Sequence, residues 1–216
     1  MTILKNIGNE FLLSIFYFYI MKWIKRCRYI PFWKRNDERL DKLWIQHIKT
    51  EPPEYLRRDP NIQDKYGYTS AMYWIRYRTN SLSNFVTRNE VPEYLRHDPN
   101  ITSSYGSTCA MLWIIHAKTE VPKYLRHDPD IITIDGYTCG MYWIIDVKTD
   151  IPGYLRHDPT IKDKRGQTCA MWWIKYVKTE VPEYLRHDPD IQDNYNYTCA
   201  MYWIKYVKTE VPEYLT

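Results

Sequence analysis

One thirty-residue phrase recurs through this chain, and copies of one phrase build an array instead of closing around a single core. Trp113, Trp143, Trp173 and Trp203 are each followed by isoleucine and stand nine residues before Pro122, Pro152, Pro182 and Pro212. Leu-Arg-His-Asp-Pro closes the unit. Two earlier copies extend the pattern: Trp44 stands nine before Pro53, and Trp74 reaches Pro92 through a nine-residue insertion around Ser81, Leu82 and Ser83. Self-similarity at this period marks a solenoid or a related repeat architecture. The pattern divides the chain into an apolar and basic N-terminal segment, 1–39, and a repeat array, 40–216. In such an array each unit buries surface only against its neighbours.

The unit from Thr168 to Gln192 shows how one period folds. Ala170, Trp173, Ile174 and Val177 fall at i, i+3, i+4 and i+7, one face of a helix. Thr168 precedes them as an N-cap. Gly166, two residues earlier, marks a position needing positive φ, and Asn196, which tolerates that conformation, replaces it in the last copy. Thr179-Glu180-Val181-Pro182 reads as the start of a second helix, with a cap, an acid and a proline in the first turn. Val181, Tyr184 and Leu185 share its face, and Asp188-Pro189 ends it. The expectation is an all-α solenoid of helix–turn–helix repeats, with first helices near 69–78, 108–117, 138–147, 168–177 and 198–207.

Gly-x-Thr, a short amphipathic helix, Val-x-x-x-Leu and an Asp-Ile turn together resemble the ankyrin repeat. Val211 and Leu215 fall where that family places its second-helix Val and Leu. The chain departs from the family in its period of thirty instead of thirty-three, in Cys199-Ala200-Met201 for Pro-Leu-His, and in Trp203 for an alanine. The resemblance covers about residues 40–216 and implies partner binding along the fingers and the concave side.

Composition narrows the function classes. Hydrophobic content of 44% and aromatic content of 16% suffice for a folded array. Lys22, Lys25, Arg26, Arg28, Lys34 and Arg35 supply six positive charges with no acid among them, against a net charge of +4, leaving the repeats near neutral. A basic stripe, the usual footprint of a nucleic-acid binder, is absent from the repeating phrase, so no nucleic-acid partner is expected. Cys109, Cys139, Cys169 and Cys199 recur at the period. Helices packed 8–10 Å apart would hold them too far apart for a disulfide, so they read as small buried apolar residues in a reducing, cytoplasmic setting. His97, His127, His157 and His187 form a row of separate His-Asp pairs, not a converging metal site. They read as cations near helix C-termini, each beside an aspartate that organises the turn. No phosphate loop, nucleophile elbow or zinc spacing occurs. Neither enzyme activity nor cofactor nor metal is expected.

The stretch from Phe11 to Met21 is apolar apart from Ser14 and runs into the basic cluster. It is short for a membrane span. Three readings stand side by side: a degenerate cap repeat echoing the unit at Met21, Trp23, Ile24 and Pro31; a membrane-associating helix; and a processed signal.

Comparison of the copies separates scaffold from surface. Thr, Met, Trp, Ile, Pro, Tyr and Leu barely change. Substitutions gather at the loop tip and at the seventh and eighth residues after the threonine. In chain order these are Lys65, Tyr66, Tyr68, Arg76 and Tyr77; Ser104, Tyr105, Ser107, Ile115 and His116; Ile134, Asp135, Tyr137, Ile145 and Asp146; Lys164, Arg165, Gln167, Lys175 and Tyr176; Asn194, Tyr195, Tyr197, Lys205 and Tyr206. Tyrosine supplies large contact area at low entropic cost. These residues are the expected partner-binding set of a non-enzymatic protein-interaction scaffold in the cytoplasm. The alternative is a membrane-associated adaptor or structural protein anchored by residues 11–35. The last copy keeps Trp203, Ile204, Val207 and Val211 apolar, which implies self-association through that repeat or a longer array.

Overall fold

A computed structural model describes residues 40–48, 51–52, 54, 57–78 and 90–216, and among these described residues it holds six short α-helices. They are α1 (Leu40–Ile48), α2 (Ser70–Arg78), α3 (Cys109–Ala117), α4 (Cys139–Asp146), α5 (Cys169–Tyr176) and α6 (Cys199–Tyr206). All lie within the unit Arg39–Thr216. The readings of the N-terminal segment as cap, anchor or signal, and the insertion around Ser81, lie outside the described residues. Among the described residues the structure is all-helical with no strand; one isolated antiparallel bridge joins Lys162 and Thr168.

The helices α3 to α6 start where the threonine places them. Thr108, Thr138, Thr168 and Thr198 have extended backbone, and each hydroxyl accepts the N–H of the methionine three residues on, satisfying one orphan donor of the first turn. A helix of eight or nine residues is marginal alone in water. Packing holds it: each helix lies against the next in chain order, and Met111, Ile114, Met141, Ile144, Met171 and Ile174 are fully buried. Burial of each such side chain contributes about 1.5–3 kcal/mol.

The helix ends are set by the tryptophan. Trp173 Nε1 donates to Thr179 Oγ1 at 3.2 Å and to the Glu180 carbonyl at 3.1 Å, and Trp113, Trp143 and Trp203 repeat both bonds. The chain turns over the indole edge through Lys118, Lys148, Lys178 and Lys208, all in the left-handed region at φ 54–64°. Thr179 therefore serves the preceding tryptophan and is not the cap expected of it.

The second helix is shorter than its proline and acid imply. Only one 3-10 turn forms in each copy from Glu93–Leu95 onward, as at Glu183–Leu185, preceded by Pro182 at ψ 144° and followed by extended Arg186. Side chains take the backbone groups that a longer helix would use. Arg186 Nε donates to the Val181 carbonyl at 3.2 Å, and the Val181 N–H donates to the Tyr214 hydroxyl of the next unit at 3.0 Å. That tyrosine also carries the arginine, with the Arg186 guanidinium 3.8 Å from the Tyr214 ring centre. The same arrangement recurs at Arg96 with Tyr124, Arg126 with Tyr154 and Arg156 with Tyr184, which accounts for the repetition of both residues.

The histidines also sit otherwise than expected. His127 Nδ1 lies 2.5 Å from the Asp128 carbonyl, which can only accept, so Nδ1 carries the proton. Nε2 is then the acceptor. It lies 2.8 Å from Thr108 Oγ1, at the start of its own unit's helix, and 3.2 Å from Cys139 Sγ of the next unit. The ring is a neutral strut between helix N-termini, not a cation at a C-terminus. Burial pushes the His127 and His157 pKa values below the usual histidine value, against the raising effect of the neighbouring aspartates. His157 sits deepest because Gly140 replaces the alanine of other copies; a Cβ there would meet the ring at 2.9 Å. Cys109, Cys139, Cys169 and Cys199 are free and buried as expected.

Candidate partner-binding surface

The loop tips are built by one short side chain per unit. Asp163 Oδ1 accepts the N–H groups of Arg165 and Gln167, each at 2.8 Å. The Asp163 N–H donates to the Gln167 carbonyl at 3.0 Å and the Gly166 N–H to the Asp163 carbonyl at 2.9 Å. Asp64 and Asp193 repeat this, and Ser103 does so with its hydroxyl. The second carboxylate oxygen reaches the helix: Tyr73 and Tyr202 hydroxyls donate to Asp64 and Asp193 at 2.7 and 2.8 Å, and Trp172 Nε1 donates to Asp163 at 3.2 Å. Burial pushes the Asp64 and Asp193 pKa values up, but the bonds from the backbone and the tyrosines outweigh it and hold both below the usual range. Where the helix offers Leu112, with no donor, the tip has Ser103 in place of the acid.

Successive tips are joined by backbone hydrogen bonds. Ser104, Ile134, Lys164 and Asn194 each donate an N–H to the tip before, onto the carbonyls of Tyr66, Tyr105, Asp135 and Arg165 at 2.8–2.9 Å. The glycines make this approach possible. Gly136 has φ +81°, and a Cβ on it would lie 2.6 Å from Asp163 Cα of the next tip. Asn196, at φ 63°, holds the equivalent place in the last copy.

This ladder carries the variable residues. Lys65, Tyr66, Ser104, Tyr105, Ile134, Asp135, Lys164, Arg165, Asn194, Tyr195 and Tyr197 are exposed, as are Arg76 and Lys205 on the helices. Tyr68, Ser107, Tyr137, Tyr77, Ile115, His116, Ile145, Asp146, Lys175, Tyr176 and Tyr206 are half-buried. Gln167 is buried, its amide donating to the Tyr202 hydroxyl. Tip and helix form one connected surface. Tyr197 packs on Tyr202 and Tyr202 on Tyr206, with centroids 6.1 and 5.7 Å apart, and Lys205 Nζ lies 5.3 Å from both the Tyr197 and Tyr206 rings. Tyr137 meets Trp172 of the next unit at 5.6 Å, and Trp172 stacks on Tyr176 at 5.4 Å. Ion pairs link neighbouring units as well: Lys164 to Asp135 at 3.0 Å and Lys118 to Asp146 at 3.2 Å.

Comparison of the copies does not single out the fourth residue after each threonine. Tyr73, Tyr142, Trp172 and Tyr202 stand there and tie tip to helix, and their signal in the sequence is the matched change to Leu112 and Ser103. Among the described residues no group of His, Cys, Asp and Glu could hold a metal ion, and no helix is long and apolar enough to cross a membrane. No protein-family model and no curated protein matches this chain.

Proposed function

We propose that the chain is a non-enzymatic protein-binding scaffold, an ankyrin-like solenoid acting in the cytoplasm through its loop tips and the adjoining helix face. One observation carries this reading: the tip and helix residues that differ between copies are, Gln167 apart, exposed or half-buried, over a hydrogen-bonded frame that repeats unit by unit. The stacking of each helix on the next and the recurrence of tip bonds at the repeat period support the solenoid. A preorganised tip loses little entropy on binding, which suits a recognition surface. The recurring histidines and cysteines are engaged in joints between units, and burial pushes the Cys109 and Cys139 thiols up to about 12.

The test uses the full chain as immobilised bait, beside a Tyr105→Ala/Ile134→Ser/Tyr195→Ala variant. All three positions are exposed, so the melting curve is expected to stay unchanged while the captured partner is lost. Capture that is indifferent to the variant refutes the reading. We extend the proposal to self-association through the last repeat. Met201 and Ile204 are 46% and 61% exposed, whereas their counterparts Met171 and Ile174 are fully buried. Ile204→Glu is expected to abolish concentration-dependent association in sedimentation; a parent chain monomeric at all concentrations contradicts it.

A further inference from the structure

The partner surface has a charge order of its own, and it points to the chemistry of what lies on it. The seventh residue after each threonine reads Arg76, Ile115, Ile145, Lys175 and Lys205. These positions follow one another in space as in sequence: His116 sits in the field of Arg76 from the unit before and of Asp146 from the unit after. The acids of the surface are engaged within it. Asp135 pairs with Lys164 and Asp146 with Lys118, while Asp64, Asp163 and Asp193 fold under their own tips. The outward balance is positive at both ends of the row and apolar at its centre.

The aromatic rings of the helix row are spoken for as well. Tyr73 stacks on Tyr77, Trp172 on Tyr176 and Tyr202 on Tyr206. Lys175 lies over Trp172 at 4.6 Å and over Tyr176 at 5.2 Å. Single-stranded nucleic acid needs open ring faces on which bases can stack. Rings already stacked and capped by cations suit carboxylates, which seek charged donors. We propose that the surface takes an extended acidic polypeptide segment, with carboxylates over the two ends of the row and aliphatic side chains over Ile115 and Ile145.

Helices packed about 8–10 Å apart and a polyproline-II chain, three residues per turn at about 3.1 Å per residue, match one unit to roughly three residues and keep every third side chain on the surface. The segment then reads acid, apolar, apolar, acid, acid at every third position. This inference rests on the scaffold reading and adds the partner's chemistry to it.

Fluorescence anisotropy with the full chain tests it. The probe is a labelled synthetic peptide with Asp at the first, fourth and fifth of five marked positions spaced three apart, and Ile at the second and third. Controls are the same peptide with Asn for Asp, the peptide with its Asp and Ile positions exchanged, and a thymidine oligonucleotide of equal length. The Asp peptide is expected to bind at least about tenfold tighter than each control, since removing one charge-assisted hydrogen bond weakens binding by about that factor. Added salt should weaken its binding. Lys205→Glu and Lys175→Gln should each weaken it too, without changing the melting curve. Equal binding of Asp and Asn peptides overturns the proposal, as does tighter binding of the oligonucleotide. If the acidic peptide fails while a captured partner is still lost on the Tyr105/Ile134/Tyr195 variant, the scaffold stands and the acidic preference falls.

Discussion

Replacing Gly136 by asparagine isolates the joint between two tips. Asparagine accepts the left-handed backbone, as Asn196 shows at φ 63°, so φ strain contributes little. What remains is steric, with the new Cβ 2.6 Å from Asp163 Cα and 2.8 Å from the Lys162 carbonyl oxygen. Those are backbone atoms and cannot rotate away. The next tip must move, and the 2.8 Å bond from the Lys164 N–H to the Asp135 carbonyl breaks. Overpacking costs about 1–3 kcal/mol and the bond about 0.5–1.5 kcal/mol, so Gly136→Asn should destabilise by roughly 2–4 kcal/mol. At about 2–4 °C per kcal/mol for a domain of this size, the melting temperature by circular dichroism should fall by roughly 4–16 °C. The reciprocal change, Asn196→Gly, adds no atom at a φ that glycine adopts freely and should stay within about 1 kcal/mol. Equal and small effects at both positions would refute the stacking argument.

Other outcomes follow from the same joints. Asp163→Ala strands three donors, Arg165 N–H, Gln167 N–H and Trp172 Nε1, and should cost about 2–4 kcal/mol. Ser103→Ala removes two bonds of 3.2 Å and should cost about 1 kcal/mol; urea unfolding with the reverse order contradicts the account. The lowered pKa values of His127 and His157 mean that the fold binds the neutral rings. Their contribution is present above about pH 6.5 and lost as pH falls through that value toward the folded pKa, so melting between pH 7.5 and 5 should weaken less in His127→Gln/His157→Gln than in the parent. The thiols of Cys109, Cys139 and Cys199 are pushed up to about 12 by burial; alkylation at pH 8, read by peptide mass, should track urea unfolding, and fast labelling of the native chain would contradict their burial.

The first helices are legible in the sequence because threonine caps, methionine and isoleucine spacing and local propensity all agree with the observed elements. Gly166 and Asn196 likewise disclose a left-handed tip. The second helix is overstated by the sequence because Thr179-Glu180-Val181-Pro182 carries start signals whose donors and acceptors are taken by groups remote in sequence, Trp173 behind it and Tyr214 ahead. The histidines mislead for a related reason. A single unit shows His187 after its helix, while its partners, Thr168 and Cys199, come from its own unit's start and from the next unit. Of the surface, the tip and helix positions emerge from comparing copies, since exposed sites vary. The anchors beneath them do not, because Tyr73, Tyr142 and Tyr202 repeat as scaffold residues do, and only the paired change to Leu112 and Ser103 marks their link to the tip.

A rigid, hydrogen-bonded ladder of tips, presenting the variable residues together, is open to direct test by amide hydrogen exchange. Ser104, Ile134, Lys164 and Asn194 sit on exposed loops, yet each donates its N–H to the tip before it. The account predicts protection at these four amides comparable to that of the neighbouring helices. Exchange at the rate of an unstructured peptide would contradict it.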